Sequence, residues 1–151
     1  MLRLRARYPR LSLRLRQAQL HISPPRLLLR PPRQIRHRSH PKHPLGLSFS
    51  PPYNDGEFTC DACGRSGHAF TYHCGTCKFD LHVECAALPE VENRRDHEHP
   101  LVLLCGCPPE GGAAEFVCYV CCGCIGKGCW MYCCLGCNCG AHLECAGIPS
   151  H

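Results

Sequence analysis

The leucines near the start alternate with arginine in LRLR and LSLRLR, a period nearer 2 than 3.6. No amphipathic helical face emerges there, and Pro9, Pro24, Pro25, Pro31 and Pro32 break any long helix. Further on the apolar runs are short and recur. HPLGLSF and HPLVLL suit strands, and each leads into a Pro/Gly loop, PPYNDG and PPEGG. FTYHC and WMYCC are aromatic strand candidates. FTCDAC and FVCYVC enter tight knuckles, with Gly64 and Gly123 just after. LHVECAAL and AHLECAGI suit one or two helical turns, closed by Pro89 and Pro149. No run approaches the 18 apolar residues of a membrane span, and no 7–15-residue apolar core of a secretion signal is evident.

These segments form an internal repeat. The first copy runs HPL (43–45), EFTCDAC (57–63), FTYHCGTC (70–77) and LHVECAALP (81–89). The second runs HPL (99–101), EFVCYVC (115–121), WMYCCLGC (130–137) and AHLECAGIP (141–149). The offset drifts from 56 at the histidine to 58 and 60 at the two cysteine pairs, as loops of different length between fixed points require. The expected organisation is an arm over 1–39, a first module over 40–96 and a second over 97–151.

Composition then says what the fixed points are. The 151 residues include 17 cysteines and 11 histidines. Disulfide scaffolds have no particular use for histidine, whereas zinc sites do. Each unit of about 55 residues is too small for a self-sufficient core and needs staples. Cys60-x2-Cys63 precedes Cys74-x2-Cys77, then His82-x2-Cys85. Two residues between cysteines let one turn aim both thiolates at a single tetrahedral ion. His-x2-Cys has the i, i+3 spacing of one helical turn. Six ligands with a leading histidine imply two sites per unit, so three to four Zn2+ ions per chain. Disulfide or redox use of the CxxC pairs is the minor alternative.

Charge divides the chain. From Met1 to His43 there are 11 Arg and one Lys with no acid; beyond it, 5 basic and 12 acidic residues give a net of −7. The acidic repeat argues against a nucleic-acid surface. The arm reads as a disordered extension, with an organelle transit peptide and a tail for acidic surfaces as alternatives. Without an export signal the expected compartment is reducing, cytoplasmic or nuclear, where thiols and metal thiolates persist.

His43-Pro-Leu, CDACGRSG, YHCGTCKFDLHVECAALP and the later HEHPLVLL, FVCYVC, CWMYC and AHLECA resemble the plant divergent C1 (DC1) domain. That family is the cysteine/histidine-rich relative of the diacylglycerol-binding zinc module. The resemblance covers residues 40–149. It implies a small zinc-stapled α+β fold: tandem C1-like modules with short antiparallel strands, a short C-terminal helix each and little core. It also implies that Cys60, Cys63, His82 and Cys85 share one ion, and that His43, Cys74 and Cys77 supply three ligands of another. The second-copy sets are Cys118, Cys121, His142, Cys145 and His99, Cys134, Cys137. The parent module's last cysteine has no counterpart here, since its place falls near Asn93. His97 is the expected substitute in the first copy, with His40 a competitor of His43. In the second copy only His151 or a spare cysteine remains.

Seven cysteines of the second copy have no cysteine counterpart in the first: Cys105, Cys107, Cys122, Cys124, Cys129, Cys133 and Cys139. They read as free, partly buried thiols. Exchange of Cys122 or Cys124 with Cys121, and of Cys133 with Cys134, is the sharper alternative, and redox sensing a third. Sites with four protein ligands leave no position for water, so no enzyme is expected. The functional expectation is a zinc-binding interaction or adaptor module with a protein partner; the resemblance adds plant intracellular or stress signalling. A cross-brace finger of ubiquitin-ligase or chromatin-reader type is the alternative. Diacylglycerol binding through the more apolar second-copy loop GCIGKGCWMYC is another. No nucleic acid or small-molecule substrate is expected.

Overall fold

The computed structural model describes residues 30–106 and 116–147. His151, Cys107, the second-copy Pro/Gly loop and most of the basic arm lie outside them.

The chain folds as two versions of one plan. The first contains β1 (Gln34–Ile35), β2 (Leu45–Ser48), β3 (Phe58–Thr59), β4 (Ser66–Gly67), β5 (Thr71–Cys74), β6 (Phe79–His82) and α1 (Val83–Ala86). The second contains β7 (Val91–Glu92), β8 (Leu101–Leu104), β9 (Phe116–Val117), β10 (Cys124–Ile125), β11 (Met131–Cys134) and β12 (Cys139–His142). Each version has a four-stranded antiparallel sheet, ordered β1-β2-β5-β6 and β7-β8-β11-β12, and a two-stranded ribbon, β3-β4 and β9-β10.

Register fixes which residues correspond. Tyr72 faces Leu47 and Leu81; Tyr132 faces Leu103 and Ala141. Both tyrosines are buried, and both hydroxyls donate to a proline carbonyl upstream of their own sheet. Tyr72 donates to Pro32 at 2.8 Å and Tyr132 to Pro89 at 2.6 Å. Leu47 N–H reaches the Arg33 carbonyl, as Leu103 N–H reaches that of Glu90. Each structural unit thus begins at a proline about ten residues before its HPL. The edge strand β1 lies in the segment read as arm, and β7 lies in the segment read as the end of the first module.

The helix expectation is met in the first unit only. α1 is four residues long and carries no side-chain cap, while residues 143–147 form turns. Gly147, at φ +98, follows immediately where the first unit has Ala87, and ends the segment in a left-handed conformation.

The two units share one core. Leu45, Phe58, Ala62, Tyr72 and Leu81 of the first join Leu101, Leu103, Trp130, Tyr132 and Leu143 of the second in one buried cluster. Trp130, 3% exposed, is the joint. Its ring stacks on His37 at 5.2 Å, and its backbone N–H donates to the Ala62 carbonyl at 2.7 Å. Arg38 adds a bond to the Leu103 carbonyl at 3.1 Å and a 3.6 Å ion pair with Glu90, and Arg65 pairs with Glu144.

Candidate metal centres

Four clusters of cysteine and histidine emerge, each with all its donor atoms within 4.8 Å of one another. Two are alike: Cys60, Cys63, His82, Cys85 and Cys118, Cys121, His142, Cys145. The other two are His40, His43, Cys74, Cys77 and His97, His99, Cys134, Cys137.

All four cysteine pairs sit in the same turn. In each, the residue after the second cysteine has positive φ: Gly64 (+72), Lys78 (+53), Cys122 (+59) and Asn138 (+53). At three of them its N–H closes onto the carbonyl of the first cysteine, from Gly64 to Cys60, Lys78 to Cys74 and Cys122 to Cys118, each at 2.8 Å. Such a turn points both thiols to one side and frees backbone N–H groups to face sulfur. Cys137 N–H reaches Cys134 Sγ at 3.3 Å, and Gly123 N–H reaches Cys121 Sγ at 3.4 Å.

The strand-to-turn junction supplies the other ligands. His82 ends β6 and Cys85 lies one helical turn on; His142 and Cys145 repeat this after β12. His82 Nδ1 lies 3.4 Å from Cys63 Sγ and 3.9 Å from Cys85 Sγ. His142 Nδ1 lies 3.4 Å from Cys121 Sγ and 3.7 Å from Cys145 Sγ. The opposite ring nitrogen, Nε2, is held by a backbone carbonyl, Ser66 at 3.3 Å and Cys124 at 3.0 Å. Those carbonyls fix the tautomer that leaves Nδ1 free to ligate.

In the remaining sets His43 Nδ1 is 3.2 Å from Cys77 Sγ, and His99 Nδ1 is 3.3 Å from Cys137 Sγ. The fourth member is the upstream histidine in both. This corrects the expectation for His97, which joins His99 in the second unit's set and not Cys74 and Cys77. His40 takes the place in the first. The physical reason is the chain direction: each unit's sheet starts upstream of HPL, so its fourth ligand arrives from the N-terminal side. HPKHPL and HEHPL both carry this signal, one histidine just before the histidine of HPL.

The donor sets fit zinc. A tetrahedral ion with Zn–S of about 2.3 Å and Zn–N of about 2.0–2.1 Å sets S···N edges near ~3.6 Å. The six S···N separations run from 3.2 to 3.9 Å. A second observation is independent of these lengths. His40 Nε2 and His97 Nε2 are buried without a hydrogen-bond partner among the described residues. An orphaned ring nitrogen beside two cysteines and a second histidine is satisfied by a cation.

Protonation agrees with this chemistry. Burial opposes the Cys118 thiolate, but N–H groups of Cys121, His142 and Val120 outweigh it and bring the thiol down to about 6. Hydrogen bonds with Cys60 and Cys85 hold Cys63 well below the usual thiol value, while contacts with Cys60 and Cys63 push Cys85 up. A set that shares protons in this way releases them when a cation enters.

The surplus thiols behave differently. Burial raises Cys105, Cys129 and Cys139, and pushes Cys133 up to about 11. Protonated thiols are poor nucleophiles. The structure puts Cys121 and Cys134 into the sets, leaving Cys122 at the left-handed turn position and Cys133 opposite Gly140. Among the described residues all sixteen cysteines are free of disulfides, and no helix there is long and apolar enough to cross a membrane.

Comparison with known proteins meets this geometry. Over 65 residues the chain is 35% identical to a probable nucleoredoxin 1 of Arabidopsis thaliana. That stretch is 43% of this chain but only 10% of the relative, so the likeness spans about one module of a much longer protein. Residues 38–86 match the C1 domain family, a span that contains His40, His43, both cysteine pairs, His82 and Cys85. The C1-type match is thus to the first unit, over residues 38–86, and the second unit repeats its ligand frame.

Proposed function

We propose that the protein is a non-catalytic interaction module whose two units are held in shape by four Zn2+ ions. One observation carries this reading: every cluster has four protein donors drawn together from distant segments. A closed set has no position for water or substrate, so such an ion staples and does not catalyse. Its cysteine ligands must be thiolates, which favours a reducing compartment, cytoplasmic or nuclear. A protein partner suits the acidic surface better than nucleic acid does. An adaptor role in plant signalling rests on the family resemblance alone.

Metal analysis of the purified full chain tests this. Four zinc ions per chain are expected, with unfolding on chelation. Two or fewer would overturn it. The relative's name suggests thiol–disulfide chemistry as a rival, which predicts disulfide reductase turnover. Here the zinc-loaded protein is expected to have none, because the CxxC thiols are committed to metal.

A further inference from the structure

Trp130 and Cys105 stand side by side at the end of β8 and the start of β11, since Leu104 pairs with Met131. The first unit covers this face of the second through His37 and Ala62. By the same register, Ser48 pairs with Thr71, so Phe49 and Phe70 occupy the corresponding face of the first unit. Nothing among the described residues covers them. Phe49 is 69% exposed and Phe70 52%, and their rings meet edge to face at 5.5 Å.

The covering side has an unused copy as well. Ala62, between the first cysteine pair, corresponds to Val120, which is 42% exposed. The sizes trade: the small Ala62 meets the large Trp130, whereas the larger Val120 is available for the smaller Phe70. Arg95 stands where the first unit has Arg38, the donor to the Leu103 carbonyl. Each molecule therefore presents one open socket at Phe49 and Phe70 and one open plug at Val120, both repeating a contact already made inside the chain.

We propose that the Phe49–Phe70 face docks the Val120 face of a second copy of this chain, head to tail. The contact uses two different surfaces, so it is heterologous and leaves a free socket and a free plug after each addition, which carries assembly beyond two chains. It lacks the tether that joins the two units within one chain, and is weak for that reason. The inference rests on the zinc-stapled reading of both units, and zinc content distinguishes failure of one from failure of the other.

Sedimentation equilibrium on the zinc-loaded full chain tests it. The weight-average mass is expected to climb past that of a dimer between about 10 μM and 1 mM. Phe70→Asp and Val120→Asp, both at exposed positions, should each be monomeric with four zinc ions retained. Mixed in equal amounts, they should recover a species that stops at two chains, because each variant keeps the surface the other lacks. A monomeric wild type, a variant that still self-associates, or a mixture without recovery would each overturn the proposal. Monomers that instead bind anionic vesicles through Phe70 would assign the face to membrane and overturn it too.

Discussion

The two units hold their ligands alike and fill the space between them differently. In the first, Asp80 is buried at the centre of a polar layer. It accepts from the Tyr53 hydroxyl, from His73 Nδ1 at 2.9 Å and from Thr71 Oγ1 at 3.4 Å. Burial and this carboxylate push the Tyr53 phenol up to about 12. In the second, the same three strand positions are Met131, Cys133 and Gly140. Met131 Cε lies 2.1 Å from where a Cβ on residue 140 would sit, so the thioether fills the space of the missing side chain. The ribbons trade in the same way: Phe58 packs over Gly67 in one, and Phe116 faces the buried Ile125 in the other. The backbone bond beside this layer survives in both, Asp61 N–H to the Asp80 carbonyl and Tyr119 N–H to the Gly140 carbonyl. Under the proposed metal stapling such exchange is tolerated, because the shared ligand frame, and not one particular packing, holds each unit together.

The largest effect should come from the staples. A structural zinc contributes roughly 10–16 kcal/mol of apparent binding free energy in small fingers. His82→Ala or Cys85→Ser should therefore unfold the first unit and lower the zinc count, read by metal analysis and amide NMR dispersion. The second unit should persist with a lower melting temperature, since Trp130 loses its cover.

Next comes the joint. Trp130→Ala removes a buried indole and should cost about 3–5 kcal/mol in denaturant unfolding. Phe70→Ala, the same position of the other unit, should stay within about 0.5 kcal/mol. Equal costs would mean the two faces are equally covered.

The polar layer follows. Asp80→Ala leaves His73 and Tyr53 without their acceptor and should cost about 2–3 kcal/mol. Installing the second unit's layer whole, as Thr71→Met, His73→Cys and Asp80→Gly together, should cost less than Asp80→Ala alone. Replacing all partners leaves no orphan. A smaller effect than Asp80→Ala is expected at Cys122, a non-glycine residue at φ +59 where the first unit has Gly64. Cys122→Gly should raise the stability of the second unit by about 1 kcal/mol, measured as a shift in melting temperature.

Much of the ligand frame was legible because each CxxC and HxxC is local: a turn of fixed geometry needs its ligands at fixed spacing. His97 was not, because its partner set depends on strand order. The repeat is visible in the sequence from HPL onward, whereas Pro32 and Pro89 show that each sheet begins earlier. A two-residue strand such as β1 or β7 carries no periodicity to detect, so the boundaries at 39 and 96 had no local signal. The second-unit helix failed for a different reason. AHLECAGI has the helical spacing of LHVECAAL, but Gly147 stops it within a turn.

The proline carbonyls that receive Tyr72 and Tyr132 have a practical consequence for anyone cutting this chain. Α1 ends at Ala86 and Pro89 already belongs to the next sheet, so no slack joins the halves. An excision starting at His99 would strip the second half of its edge strand and its fourth ligand together. Cassettes meant to be shuffled or expressed alone should be cut before Pro32 and at Leu88.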